Sequence, residues 1–333
     1  MNIYIKGDFF DCQIHKGKLY IWDTWGFLYV FNWQALLMSA ERTDGNDLII
    51  SQGLLRRYEY SSVKMKGGIF PMDSAFVENH LFTATESGLY RRYIPEGSKR
   101  MTRFREGRSR NLLEGVRVLS LSVNQMGGTL AISAGNEGLL EWYDKDKYSV
   151  TKQKKKIDLD LYKVRKTPSL SSSYLSKGLF STDDAITPIF CYYQEKRIRE
   201  GISRSMLRAY TREQMELVQN SQMYWAEGNE IYALSEHSID SFAVTGNTQN
   251  MIVRSGSIYL HQAPAQRVRK AASASFGHVL DYKTKLTVTS KDGLYTHTIE
   301  GPITRWRILK SRKPDSDLLV VVLDDQIRIT DLK

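Results

Sequence analysis

The sequence predicts an all-β fold assembled from repeated hairpins, and three observations carry that reading. A frame of fourteen residues recurs along the chain, period-two alternation of apolar and polar residues flanks a polar turn in its copies, and no run approaches the roughly 18 apolar residues of a membrane helix. The hairpin, rather than the helix, is therefore the expected building unit.

Three stretches share the full frame: LYIWDTWGFLYVFN (Leu19 to Asn32), LFTATESGLYRRYI (Leu81 to Ile94) and LTVTSKDGLYTHTI (Leu286 to Ile299). IYALSEHSIDSFAV (Ile231 to Val244) fits with Ser238 in place of the glycine, and LVVVLDDQIRITDL (Leu319 to Leu332) fits with Gln326. LAISAGNEGLLEWYD (Leu130 to Asp144) needs one more turn residue, and SQGLLRRYEY (Ser51 to Tyr60) keeps only the second half. Alternation around a turn of Asp-Gly, Ser-Gly or Glu-Gly type is the strongest short-range hairpin signal, because glycine supplies a positive φ without a steric penalty. Apolar pairs such as Leu19 and Ile21, Leu130 and Ile132, and Leu286 and Val288 bury one face of each hairpin.

Further short strands are expected after several of these arms, in FNWQALLMSAER (Phe31 to Arg42), WYDKDKYSVTKQ (Trp142 to Gln153) and AYTREQMELVQN (Ala209 to Asn220). Thr211 and Gln214 stand at capping-box spacing, so a helix over Thr211 to Val218 competes there with the strand that the recurring placement favours.

The turn-glycine-apolar pattern ending in an aromatic and an acidic or Asn residue, as in EGLLEWYD, QIRITDL and GFLYVFN, resembles the middle hairpin of a WD-repeat-type β-propeller blade. The resemblance implies a single β-propeller over residues 1–333, built of four-stranded antiparallel blades. Blades of about 40 to 45 residues make seven the expected number, and six or eight also fit the length. The strand Asn2 to Lys6 is expected to complete the last blade. Long insertions are expected near Asn46, over 95–116 and over 144–176.

Hydrophobic residues make up 41% and charged residues 25% of the 333 residues, the balance of a soluble globular protein able to bury about 75% of its unfolded surface. The start, MNIYIKGDFFDCQIHKGK, has no apolar stretch after a basic one, so a cytoplasmic location is expected, with no membrane span. Cys12 and Cys191 lie in no CxxC pair and read as buried free thiols.

Local catalytic signatures are missing. None of the six histidines has metal-pair spacing, Gly67-Gly68 and Gly127-Gly128 lack a phosphate-loop frame, and there is no GxSxG elbow. The neighbours Asp183-Asp184 and Asp324-Asp325 read as turn or strand-end carboxylates, since adjacent strand residues point oppositely. No metal, cofactor or enzymatic activity is expected.

Clustered positive charge rises above this background, within a formal net charge of +10. Arg91 to Arg117 holds nine cations against three glutamates, and KQKKKIDLDLYKVRK (Lys152 to Lys166) holds seven against two aspartates. Lys196 to Arg212 and Arg305 to Lys313 add two more basic runs, and Phe104, Tyr162, Tyr210 and Trp306 stand among the cations as stacking platforms for bases would. The candidate basic surface comprises Arg91, Arg92, Arg100, Arg103, Arg105, Arg108, Arg110, Lys154, Lys155, Lys156, Arg305 and Arg307. Solvated blade edges would produce the same runs.

Three functions follow in order: a non-catalytic scaffold for protein partners, acidic ones included, within a larger complex; a propeller binding nucleic acid through its basic loops; and a propeller enzyme or glycan-binding module with a central-channel site. Repetition without catalytic motifs favours the first, and the charge favours the second.

Overall fold

The computed structural model describes residues 2–43, 45, 47–65, 70–94, 109–124, 128–143, 161–176, 178–183, 186–198, 201–215, 217, 221–245, 251–260, 267–310 and 317–332, with the side chains of 194–198, 201–208 and 213 left out. The chain opens with β1 (Asn2–Lys6), β2 (Phe9–His15), β3 (Lys18–Asp23), β4 (Phe27–Asn32), α1 (Trp33–Ser39), β5 (Glu41–Arg42), β6 (Leu48–Ile50), α2 (Gln52–Arg57) and β7 (Glu59–Lys64). There follow β8 (Asp73–Val77), β9 (His80–Thr85), β10 (Gly88–Tyr93), β11 (Arg110–Glu114), β12 (Ser120–Asn124), β13 (Thr129–Ser133), β14 (Leu139–Tyr143) and β15 (Leu161–Arg165). Next come β16 (Ser171–Leu175), β17 (Gly178–Thr182), β18 (Pro188–Ile198), β19 (Gly201–Thr211), α3 (Arg212–Met215), β20 (Met223–Glu227), β21 (Glu230–Leu234), β22 (Ser238–Val244) and β23 (Ile252–Tyr259). The chain finishes with β24 (Lys270–Ala274), β25 (Gly277–Asp281), β26 (Lys285–Thr289), β27 (Thr296–Glu300), β28 (Arg305–Leu309), β29 (Leu318–Val322) and β30 (Gln326–Asp331).

These strands form seven sheets, the blades of a seven-bladed propeller, as the hairpin frame predicts. Six are four-stranded and antiparallel: β2-β3-β4-β7, β8 to β11, β12 to β15, β16 to β19, β20 to β23 and β24 to β27. In the seventh, β28, β29 and β30 are joined by β1, which runs antiparallel to β30 from Asn2 opposite Thr330 to Lys6 opposite Gln326.

The blades fall into two compact units. One, within residues 1–70 and 266–333, holds the blades β2-β3-β4-β7, β24 to β27 and β28-β29-β30-β1; the other, within 71–94 and 108–265, holds the remaining four. In the four-blade unit the first strands β8, β12, β16 and β20 pack successively on one another. Interleaved apolar residues of neighbouring sheets, such as Phe82 and Ala84 of β9 with Leu130, Ile132 and Trp142 of β13 and β14, form one continuous core cluster there.

Several expected strands are helices. Asn32 Oδ1 accepts from Ala35 N at 3.1 Å and caps α1, so WQALLMS forms a helix with Leu36 buried, not a strand. Ser51 caps α2 through Leu54 N at 3.3 Å, which turns the half-hairpin SQGLLRRYEY into a helix with Gly53 inside it, followed by β7. Thr211 N donates to Gln214 Oε1 at 3.0 Å at the start of α3, so the capping-box alternative, not the strand, holds over 212–215. The intervals 95–116 and 144–176 are not insertions throughout: β11, β15 and β16 lie inside them as regular blade strands.

The insertion around Asn46 has a definite role. It leaves the first blade after β4 and lays β6 parallel on β1, with β5 beyond it, extending the closing sheet to six strands. Leu36, Leu48, Ile50 and Leu55 join Ile3, Ile5, Ile327 and Ile329 in one buried cluster, each side chain contributing about 1.5 to 3 kcal/mol. Asp47 accepts from Asn2 N at 2.7 Å and from Asn2 Nδ2, so the first strand is clasped from both sides.

Candidate interaction surface

In the four-blade unit the third and fourth strands of successive blades are β10 and β11, β14 and β15, β18 and β19, and β22 and β23. Blades related by rotation present equivalent connections on one face. In the sequence the basic runs of 91–117, 152–166 and 196–212 fall around the first three of these strand pairs, and residues 95–108, 144–160 and 199–200 lie outside the described residues.

Among the predicted site residues, Arg91, Arg92 and Arg110 stand at the root of the first of these connections. Arg91 and Arg110 are directly paired across β10 and β11. Arg91 also lies over the Trp142 ring, 5.8 Å from its centroid. Burial lowers the pKa of Arg92, a sign that its charge is partly desolvated. Arg100, Arg103, Arg105, Arg108, Lys154, Lys155, Lys156 and Phe104 lie outside the described residues. Tyr162 is exposed near the start of β15.

Arg305 and Arg307 do not belong to an open basic surface. Their side chains are only 16% and 15% exposed, and both reach the fully buried Asp11 of β2, with Arg307 Nε at 2.7 Å, Arg307 Nη2 at 2.6 Å and Arg305 Nη1 at 3.2 Å. Burial would raise the Asp11 carboxyl, but Arg307, Arg305 and the Cys12 N–H outweigh it and hold the group below its ordinary pKa. The pair ties the first blade to the closing blade inside one unit. Trp306 is likewise no stacking platform: it is buried and its Nε1 donates to Asp281 Oδ2 at 2.9 Å, beside Arg269 Nη2 at 2.8 Å.

Other polar groups with chemical potential are buried in blade contacts. Glu141 of β14 accepts from Tyr143 Oη and from Tyr174 Oη of β16, the latter at 2.6 Å, joining adjacent blades. Ser273 Oγ and His278 Nδ1 lie 2.8 Å apart between β24 and β25, both buried. Cys12 and Cys191 are free and buried, and burial pushes the Cys191 thiol up to about 11. Among the described residues no group of three or more His, Cys, Asp or Glu is placed to hold a metal ion, and no helix is long and apolar enough to cross a membrane.

Sequence reasoning missed Asp11, which gives no local signal because its partner Arg307 is 296 residues away. It also missed the exposed β23, whose residues IVRSGSIY follow no repeat frame.

No protein-family model and no curated protein sequence matches the chain. Solved structures do match its fold. The WD40 domain of Neurospora crassa Pan2 aligns with a TM-score of 0.53 at 10% identity, over 98% of this chain and 90% of that one. The WD40 β-propeller domain of Doa1 aligns with a TM-score of 0.53 at 9% identity, over 97% and 92%. The computationally designed protein Ika8 aligns with a TM-score of 0.50 at 9% identity, over 98% of each chain. At such identities the likeness concerns fold alone, and that fold is a WD-repeat-like β-propeller.

Proposed function

We propose that the protein is a non-catalytic interaction scaffold in the cytoplasm that docks protein partners within a larger complex. The observation that carries this reading is the division of labour among its residues. Asp11, Glu141, Asp281 and the Ser273-His278 pair are buried in contacts within or between blades, while length and composition vary in the connections between third and fourth strands. WD40-type architecture is compatible with such a platform, though fold is a weak guide to function. Crosslinking and size-exclusion from native lysate should recover the protein in a complex; elution as a partner-free monomer would count against the proposal.

A second reading is favoured by the recurrence in the sequence of basic runs around the third and fourth strands of three successive blades. There Arg91, Arg92 and Arg110, with the cations of the segments they flank, would neutralise phosphates of a nucleic acid. Affinity would then fall steeply with salt, by about 0.9 log units per log unit of salt for each phosphate contacted on duplex. Filter binding at two ionic strengths tests it, and no retention at low salt removes it.

A further inference from the structure

The fourth strand of a propeller blade has a free edge, and native proteins blunt such edges with charge, brevity or a covering segment. In this chain most are blunted. The strand β7 carries Glu59 and Lys64, β11 carries Arg110 and Glu114, β15 carries Lys163 and Arg165, the short β27 ends in Glu300, and β1 is covered by β6 and β5. The strand β23 differs: it runs for eight residues, is exposed over most of its length and carries one charge, Arg254.

The hydrogen bonding of β23 indicates which groups face outward. Leu260 N donates inward to His237 O at 2.7 Å, beyond the ladder that pairs Gly256 to Tyr259 with Ser241 to Ser238. Antiparallel strands alternate inward and outward N–H groups, so Ser257 and Tyr259 direct theirs away from β22. Side chains flank this row. Tyr259, 67% exposed, stacks on His237 with ring centroids 6.2 Å apart, and Val253 is exposed at the other end. Arg254 is 62% exposed on its side chain and binds Asp240, and a guanidinium has further donors to offer.

We propose that β23 is a strand-addition site for an extended acidic segment of a protein partner. The outward N–H and C=O groups call for extended backbone, Arg254 and the net charge of +10 favour a carboxylate, and the stacked His237 and Tyr259 supply an aromatic anchor. The molecule already completes one fourth strand in this way, where β6 adds to β1. This inference rests on the scaffold reading and names one surface for it.

The test uses the full chain and a pool of ten-residue peptides in which Val or Ile alternates with random positions and one position is Asp or Glu. Selected peptides should slow hydrogen exchange at the Ser257 and Tyr259 amides relative to the unbound protein. Ser257→Pro, which removes an outward N–H on an edge strand, should abolish binding with an unchanged melting temperature. Arg254→Ala should weaken binding about tenfold or more. If Ser257→Pro fails to fold, the exchange measurement on the wild-type chain and the Arg254→Ala titration decide alone. No selected peptide, no protection at these two amides, or a dimer of this chain that Ser257→Pro dissociates would each overturn the inference. Retention of a native crosslinked complex by a folded Ser257→Pro variant would overturn it while leaving the scaffold reading intact.

Discussion

ATESGLYRRYI and TSKDGLYTHTI share the letters Gly-Leu-Tyr at the same place in the fourteen-residue frame, yet the two stretches fold differently. In the first, Gly88 pairs with Thr85 across a two-residue turn, and Leu89 enters β10 fully buried. In the second, Thr289 pairs with Thr296, leaving residues 290–295 as a six-residue loop in which Leu294 is 68% and Tyr295 75% exposed. The first joins the second and third strands of its blade, and the second joins the third and fourth. The local reason lies in one side chain. Asp292 is short enough to accept the Leu294 N–H at 3.0 Å in an Asx turn, with Ser290 Oγ accepting from Tyr295 N, and this closes the loop before Leu294 can enter a strand. Ser87 takes the equivalent place in the first turn, where Thr85 Oγ1 instead donates to Gly88 O at 2.9 Å.

The two glycines serve different ends. A Cβ on Gly88 would lie 2.4 Å from the Leu113 carbonyl oxygen, so glycine there permits close approach of the neighbouring strand. Gly293 has φ +76°, so glycine there permits a left-handed turn.

Substitutions at paired positions should separate the two copies most widely at the leucines. Leu89→Ala should cost about 2 to 5 kcal/mol in urea unfolding, whereas Leu294→Ala should stay within about 0.5 kcal/mol. Similar losses at both positions would break the distinction. At the glycines, Gly88→Ala should destabilise more than Gly293→Ala, since backbone must move in one case and a single residue bears about 1 to 2 kcal/mol of left-handed strain in the other. Thermal melts of the two variants rank them.

A pH titration gives the smallest effect. Hydrogen bonds from Ser290 and Leu294 lower the pKa of Asp292, so this loop gains stability from the ionised carboxylate above about pH 3.8 and loses it as pH falls through the lower folded value. The Leu294 amide resonance should titrate with a midpoint below 3.8, while the Ser87 amide, held by Thr85 Oγ1, should follow no carboxylate. A shared midpoint would remove the assigned difference.

Much of the architecture was legible in one dimension because alternation and turn glycines report local pairing. The hairpins β3-β4, β9-β10, β13-β14, β21-β22 and β29-β30 all follow the recurring frame. The true middle hairpin of the blade β24 to β27 escaped notice because Lys283, not glycine, takes the positive φ at its turn, +74°. The helices α1 and α2 were hidden by the expectation of repetition, although Asn32 and Ser51 were visible as caps. The site was less legible. Arg305 and Arg307 look like open cations until the fold brings Asp11 between them, and no local pattern reveals a partner 294 or 296 residues away.

Thiol accessibility tests the central distinction most directly. Leu89→Cys and Leu294→Cys can each be placed in the wild-type background, because the native Cys12 and Cys191 are buried and burial raises both thiols. Under native conditions, with folding confirmed by circular dichroism, the cysteine at 294 should react with a maleimide at nearly the rate of a free thiol, and the cysteine at 89 should stay protected until the protein unfolds. Equal rates at the two positions would contradict the account.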